Sequence, residues 1–121
     1  MKRLSKEDIL EGTNNRINLY VDEYNAEVVI RPLSDGEISK ILSSLGSVPV
    51  DQNGQPEIQK IELEKNFEAL RLATVTGTVE PKLTMEDVSN MKFGVPQFIG
   101  TKILEVSGLV SPEETKKKEG R

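Results

Sequence analysis

The apolar residues of this chain change their period at Pro32, and that change limits what the chain can fold into. Upstream, Ile17, Leu19 and Val21 alternate with Asn18, Tyr20 and Asp22, and Ala26, Val28 and Ile30 alternate with Glu27, Val29 and Arg31, the period of half-buried strands. Between the two runs lies Asp22-Glu23-Tyr24-Asn25, in which Asn25 suits a position of positive φ, so residues 16–31 read as a β-hairpin. Pro32 lacks the amide donor that would prolong the second strand. From Ser34 the spacing is helical: Ile38, Ile41, Leu42 and Leu45 fall at i, i+3, i+4 and i+7 behind the capping box Ser34-Asp35-Gly36-Glu37. The expected fold class is α+β, an N-terminal β-hairpin packed on a small bundle of three or four helices.

The other segments follow from caps and breakers. Ser5-Lys6-Glu7-Asp8 is a capping box opening a short helical stretch through Leu10 that stops at Gly12, with Thr13-Asn14-Asn15 as a connector. Gly46 closes the helix begun at Ser34, and residues 47–56, with two Pro and a Gly, have the composition of an exposed loop. A helix from about 57 to 76, the longest expected, starts with Pro56 in its first turn. Leu63, Phe67, Leu70 and Thr74 form one stripe of it, while Ile58, Ile61, Leu72 and Val75 lie on the opposite side. Two apolar stripes need two partners, either helices of the same chain or a face for another chain. Leu63, Phe67, Leu70, Ile58 and Ile61 are therefore the candidate partner-binding residues.

Gly77 ends that helix and residues 78–82 read as an extended link. Thr84-Met85-Glu86-Asp87 caps a short helix carrying Val88 and Met91, and Gly94 breaks it. A last helix, with Pro96 in its first turn and Val95, Ile99, Ile103 and Val106 on one face, ends at Ser107-Gly108. From Ser111 to Arg121 charged and small residues dominate without apolar periodicity. Residues 1–110 read as a single domain, and 111–121 as a flexible charged tail. At 121 residues the chain has the length of one ordinary domain.

Composition narrows the chemistry. The chain has no Cys, which excludes disulfides, thiol nucleophiles and thiolate metal sites, and no His, which excludes a Ser-His-Asp triad and imidazole metal ligation. A net charge of −4 argues against nucleic-acid binding through a broad basic face. The basic start Met1-Lys2-Arg3-Leu4 runs into Ser5, Lys6, Glu7 and Asp8 rather than an apolar core, so no secretion signal is expected. The longest aliphatic run, Val28-Val29-Ile30, is far short of a membrane helix, so a cytoplasmic protein without membrane contact is expected.

Four patterns resemble reactive or ligand sites without completing one. Asp51-Gln52-Asn53-Gly54 has the outline of a calcium loop, but Lys60 stands where the closing carboxylate belongs. Gly94 to Gly100-Thr101-Lys102 departs from a phosphate loop in spacing and in the order of Thr and Lys, and Gly100 reads instead as a small residue where another helix packs closely. Glu62, Glu64 and Glu68, or Asp22 and Glu23, could pair as catalytic or metal-binding carboxylates, but nothing in the sequence around them marks the cleft such a pair needs. Ser39 and Lys40 point in different directions on their helix. No enzymatic activity and no cofactor or metal are expected.

Two stretches carry a resemblance to a known family. The first is Val21-Asp22-Glu23-Tyr24-Asn25-Ala26-Glu27-Val28-Val29-Ile30-Arg31-Pro32-Leu33-Ser34, a hairpin whose Arg-Pro-Leu exit leads into a capped helix. The second is Gly77-Thr78-Val79-Glu80-Pro81-Lys82-Leu83-Thr84-Met85-Glu86-Asp87-Val88, then Gly94-Val95-Pro96 and a helix ending Leu104-Glu105-Val106-Ser107-Gly108-Leu109. In order and spacing they resemble the tail assembly chaperones of long-tailed bacteriophages and prophages, over residues 16–110. The resemblance implies a small protein of the host cytoplasm that binds the tape measure protein, keeps it soluble, helps recruit tail tube subunits and is absent from the finished virion. Self-association is left open. Many members of that family are made in two lengths, the longer by a −1 ribosomal slip; whether this chain has such a product is left open, with Lys116-Lys117-Lys118 as the A-rich candidate site. The alternatives are a structural tail or connector component retained in the particle, or a protein-binding adaptor unconnected with phage.

Overall fold

The computed structural model describes residues 3–45, 50–54 and 63–109. Gly46, expected to close the second helix, half of the expected 47–56 loop, residues 57–62 of the expected long helix and the expected charged tail lie outside the described residues.

The architecture is α+β, in the order α1 (Lys6–Asn14), β1 (Ile17–Val21), β2 (Ala26–Ile30), α2 (Asp35–Ser43), α3 (Leu63–Gly77), β3 (Thr78–Glu80), α4 (Met85–Ser89) and α5 (Val95–Val106). The hairpin forms as its alternation requires. β1 and β2 pair antiparallel with Leu19 opposite Val28 and Ile17 opposite Ile30, and the buried ends, Val21 and Ile30, are 2% and 1% exposed. A single 3₁₀ turn, Asp22–Tyr24, joins the strands, and Asn25 closes it in the left-handed region at φ 54°. The Tyr20 hydroxyl donates to the Asn25 side-chain oxygen across this turn.

Two boundaries differ from expectation. α1 runs through Gly12 to Asn14, because Gly12 does not take the left-handed conformation that terminates a helix. Arg16 donates from Nη1 to the carbonyls of Thr13 and Asn15 and satisfies that end. The expected link at 78–82 begins with a third strand: β3 pairs antiparallel with β2, giving the order β1-β2-β3, with a register irregularity at Val29 and Ile30. The Arg31 amide donates to the Gly77 carbonyl at 2.9 Å and extends this pairing.

The core gathers Val21, Ile30, Leu33, Ile41, Leu45, Leu70, Val95, Ile99 and Ile103 where the sheet, α2, α3 and α5 meet. α3 and α5 pack so closely that a Cβ built on Gly100 would sit 2.4 Å from the Leu70 carbonyl oxygen, and one on Gly77 would sit 2.7 Å from the Ile103 side chain. Ala69, Ala73 and Gly77, at i, i+4 and i+8, are the small residues on the buried face of α3. Val106 was expected on the packed face of α5 but is 39% exposed. The buried side is centred on Pro96, Ile99, Gly100, Ile103 and Leu104, which leaves Val106 roughly a quarter turn away. No helix among the described residues is long and apolar enough to cross a membrane.

Thr74 is fully buried at this contact, its hydroxyl 2.7 Å from the Leu70 carbonyl and 2.9 Å from the Pro96 carbonyl, one proton shared between two acceptors. Thr74→Val keeps the shape and removes the donor. Urea unfolding should show a loss of about 1 kcal/mol, and an unchanged midpoint would mean that the hydroxyl does not tie α3 to α5.

Candidate functional site

The candidate partner-binding residues separate by depth. Leu70 is 8% exposed and belongs to the core, because the small residues beside it draw α5 onto that side of α3. Phe67, on the same stripe, is half-buried at the rim. Leu63 opens α3, and Ile58 and Ile61 lie outside the described residues. On the opposite stripe Leu72 and Val75 are half-buried, with Leu72 packed against the core.

What the stripes do not reveal is an aromatic surface beside Phe67. The core is aliphatic, while Tyr20, Tyr24, Phe93 and Phe98 are 49%, 45%, 87% and 38% exposed. The Phe67 and Phe93 rings meet edge to face, centroids 6.3 Å apart. One residue before Phe93, the Lys92 ammonium lies 5.1 Å from the centre of the Tyr24 ring, and the Lys92 amide donates to the Tyr24 hydroxyl at 2.9 Å. The hairpin turn is thereby tied to the segment between α4 and α5, with Tyr24 on Lys92 and Phe67 on the adjacent Phe93, three parts of the chain. Sequence reasoning missed Tyr24, Lys92 and Phe93 as site residues. The available signal was that Phe93 precedes the helix breaker Gly94, outside any apolar period.

The two stretches that carry the family resemblance meet through hydrogen bonds at Arg31 and Leu33. Arg31 makes a two-pronged pair with Glu37 (2.9 and 2.7 Å) and donates to the carbonyls of Pro32 and Thr76. The Leu33 amide donates to Ser107 Oγ at 2.7 Å, and Ser107 Oγ donates to the Ile103 carbonyl. Ser107-Gly108-Leu109 is a Schellman ending: Gly108 takes φ 91°, its amide donates to Glu105, and the Leu109 amide donates to Leu104. The hydrogen bonds from Arg31 lower the Glu37 carboxyl to about 2, against partial burial, with the Ser34 amide assisting, and the same pair raises the Arg31 guanidinium.

Of the residues that resembled reactive sites, Asp51, Gly94, Gly100 and Glu68 have structural roles, and Glu62 lies outside the described residues. Asp51 accepts from the Asn53 amide at 2.8 Å in an Asx turn that Gly54 completes at φ 81°. Gly94 is the left-handed N-cap of α5, and Gly100 is its point of closest approach to α3. Glu68 pairs with Arg71 at 3.0 Å, whereas Glu64, Asp22 and Glu23 are exposed. Among the described residues no three carboxylates gather in a way that could hold a metal ion. The arrangement presents an apolar, partly cationic surface. No family model, curated protein or solved structure matches this chain.

Proposed function

We propose that the chain is a tail assembly chaperone of a long-tailed bacteriophage or prophage. It acts by binding, not catalysis, in the host cytoplasm: it holds the tape measure protein soluble, helps recruit tail tube subunits and leaves before the virion is complete. The observation that carries the reading is the placement of the large aromatic side chains at the surface of a domain whose core is aliphatic. Exposed aromatic area of this kind marks protein-binding surfaces. The resemblance of the hairpin exit and the α5 ending, two stretches tied by the Leu33 to Ser107 hydrogen bond, gives the class of partner.

Co-expression tests it. The tape measure protein encoded beside this chain should be insoluble when made alone and should move to the soluble fraction, co-purifying with the chain, when both are made. Mass spectrometry of purified virions should then find the chain absent. A tape measure protein that stays insoluble refutes the chaperone activity, and a stoichiometric signal in virions favours a retained structural component.

A further inference from the structure

Between the first half of α3 and the segment joining α4 to α5 lies a pocket of about 140 Å³, lined in part by Phe67, Arg71, Met91, Lys92, Phe93 and Gln97. Cofactors and drug-sized ligands occupy roughly 300–1,000 Å³. This pocket instead has the scale of a single anchoring side chain. Phe93 stands beside it 87% exposed, edge-on to Phe67, with Tyr24 adjoining through Lys92. Aromatic residues bordering a small pocket are the usual composition of an interface hot spot.

The charge at the pocket has one sign. In a chain of net charge −4, the ionised residues lining it are Arg71 and Lys92, with no carboxylate among them. Arg71 uses Nη2 on Glu68 and keeps other donors. Among the described residues the Lys92 ammonium donates to the neutral Glu23 carbonyl at 3.0 Å, and no carboxylate there forms an ion pair with it. An occupant that completes this site brings an aliphatic side chain for the pocket and carboxylates for the two cations, grouped on one face as residues three and four apart on a helix are.

We propose that this pocket and its aromatic rim are the docking site for an acidic amphipathic helix of the escorted protein. The helix inserts one aliphatic side chain beside Phe67 and Phe93 and sets carboxylates against Lys92 and Arg71. This rests on the chaperone reading, with the tape measure protein as partner.

Overlapping peptides covering the tape measure sequence, titrated by fluorescence polarisation, locate the segment, and co-expression reads the full-length partner. The tightest peptide should be acidic and amphipathic. Phe93→Ser should weaken it at least about tenfold and lower the soluble fraction of the tape measure protein. Lys92→Glu should weaken it about as much, by a factor that shrinks as salt is raised. Leu10→Ser, on the exposed face of α1, should leave both readouts unchanged. Phe93, Lys92 and Leu10 are exposed, so the variants should melt as the parent does, which thermal denaturation checks.

The outcomes separate the two ideas. A parent chain that fails to solubilise the tape measure protein overturns the chaperone reading and the docking site with it. A parent that succeeds, with Phe93→Ser and Lys92→Glu equally effective, overturns the docking site alone. So does a tightest peptide that is basic, or a self-association of the chain abolished by Phe93→Ser.

Discussion

Gly100→Ala should lower the melting temperature by roughly 8–12 °C, the equivalent of about 2–3 kcal/mol in a domain of this size. Ala is the better helix former by nearly 1 kcal/mol, so propensity alone predicts the opposite sign. The difference is the neighbour. The added Cβ meets Leu70 backbone atoms, the carbonyl oxygen at 2.4 Å and the carbonyl carbon and Cα at 3.0 Å. A flexible side-chain tip could swing aside, but a backbone carbonyl inside a helix cannot. α3 is also held in place, since Leu70 and Ala73 lie in the core and the Thr74 hydroxyl shares the Leu70 carbonyl. Relief requires separating α3 from α5 along the largest helix contact among the described residues. Gly36→Ala is the matched control, because a Cβ there meets nothing within 4 Å. It should leave stability unchanged or slightly raised. Equal melting temperatures for Gly100→Ala and the parent would show that the two helices do not touch as closely as described.

Local signals in the sequence were sufficient for much of this fold. The capping boxes at Ser5, Ser34 and Thr84 all form, each with the hydroxyl accepting from the third helical amide and that residue's carboxylate accepting from the cap amide. Asn25 takes the positive φ assigned to it, and Gly100 proves to be the close-packing residue its size suggested. Signals that depend on distant partners were not legible. Thr78-Val79-Glu80 is too short to show alternation, and it is a strand because β2 already offers an unpaired edge. The buried side of α3 is set by Ala69, Ala73 and Gly77, which a search for large apolar residues passes over. The candidate surface was half visible: Phe67 stood out on its stripe, but its neighbours arrive from the hairpin turn and the segment between α4 and α5, with Tyr24 bonded to a residue 68 positions away. No helical or strand period spans such a gap.

The junction at Arg31 makes the second large effect, and pH separates its causes. Arg31→Met keeps much of the side chain's apolar length while removing both bonds to Glu37 and those to the Pro32 and Thr76 carbonyls. The pair is neither fully solvated nor fully buried, with side-chain exposures of 19% and 31%. Exposed pairs contribute about 0–1 kcal/mol and breaking buried ones costs roughly 3–5 kcal/mol, so a loss of about 2 kcal/mol is expected near neutral pH. Glu37 is lowered from 4.5 to about 2 in the folded chain, chiefly by the hydrogen bonds from Arg31. A carboxyl lowered by folding stabilises fully above its unfolded value and loses that contribution as pH falls through the folded one. The parent should therefore lose stability from about pH 5 down to about pH 2, by about 1–2 kcal/mol once solvent screening of a partly exposed group is allowed for. Arg31→Met should show a shallower decline, because much of the lowering goes with the guanidinium. The gap between the urea midpoints of the two proteins should accordingly be widest at pH 7 and narrow towards pH 2.5. A gap of constant width would assign the effect to lost carbonyl hydrogen bonds and packing, and would remove the Arg31 to Glu37 pair as the clasp between hairpin, α2 and α3.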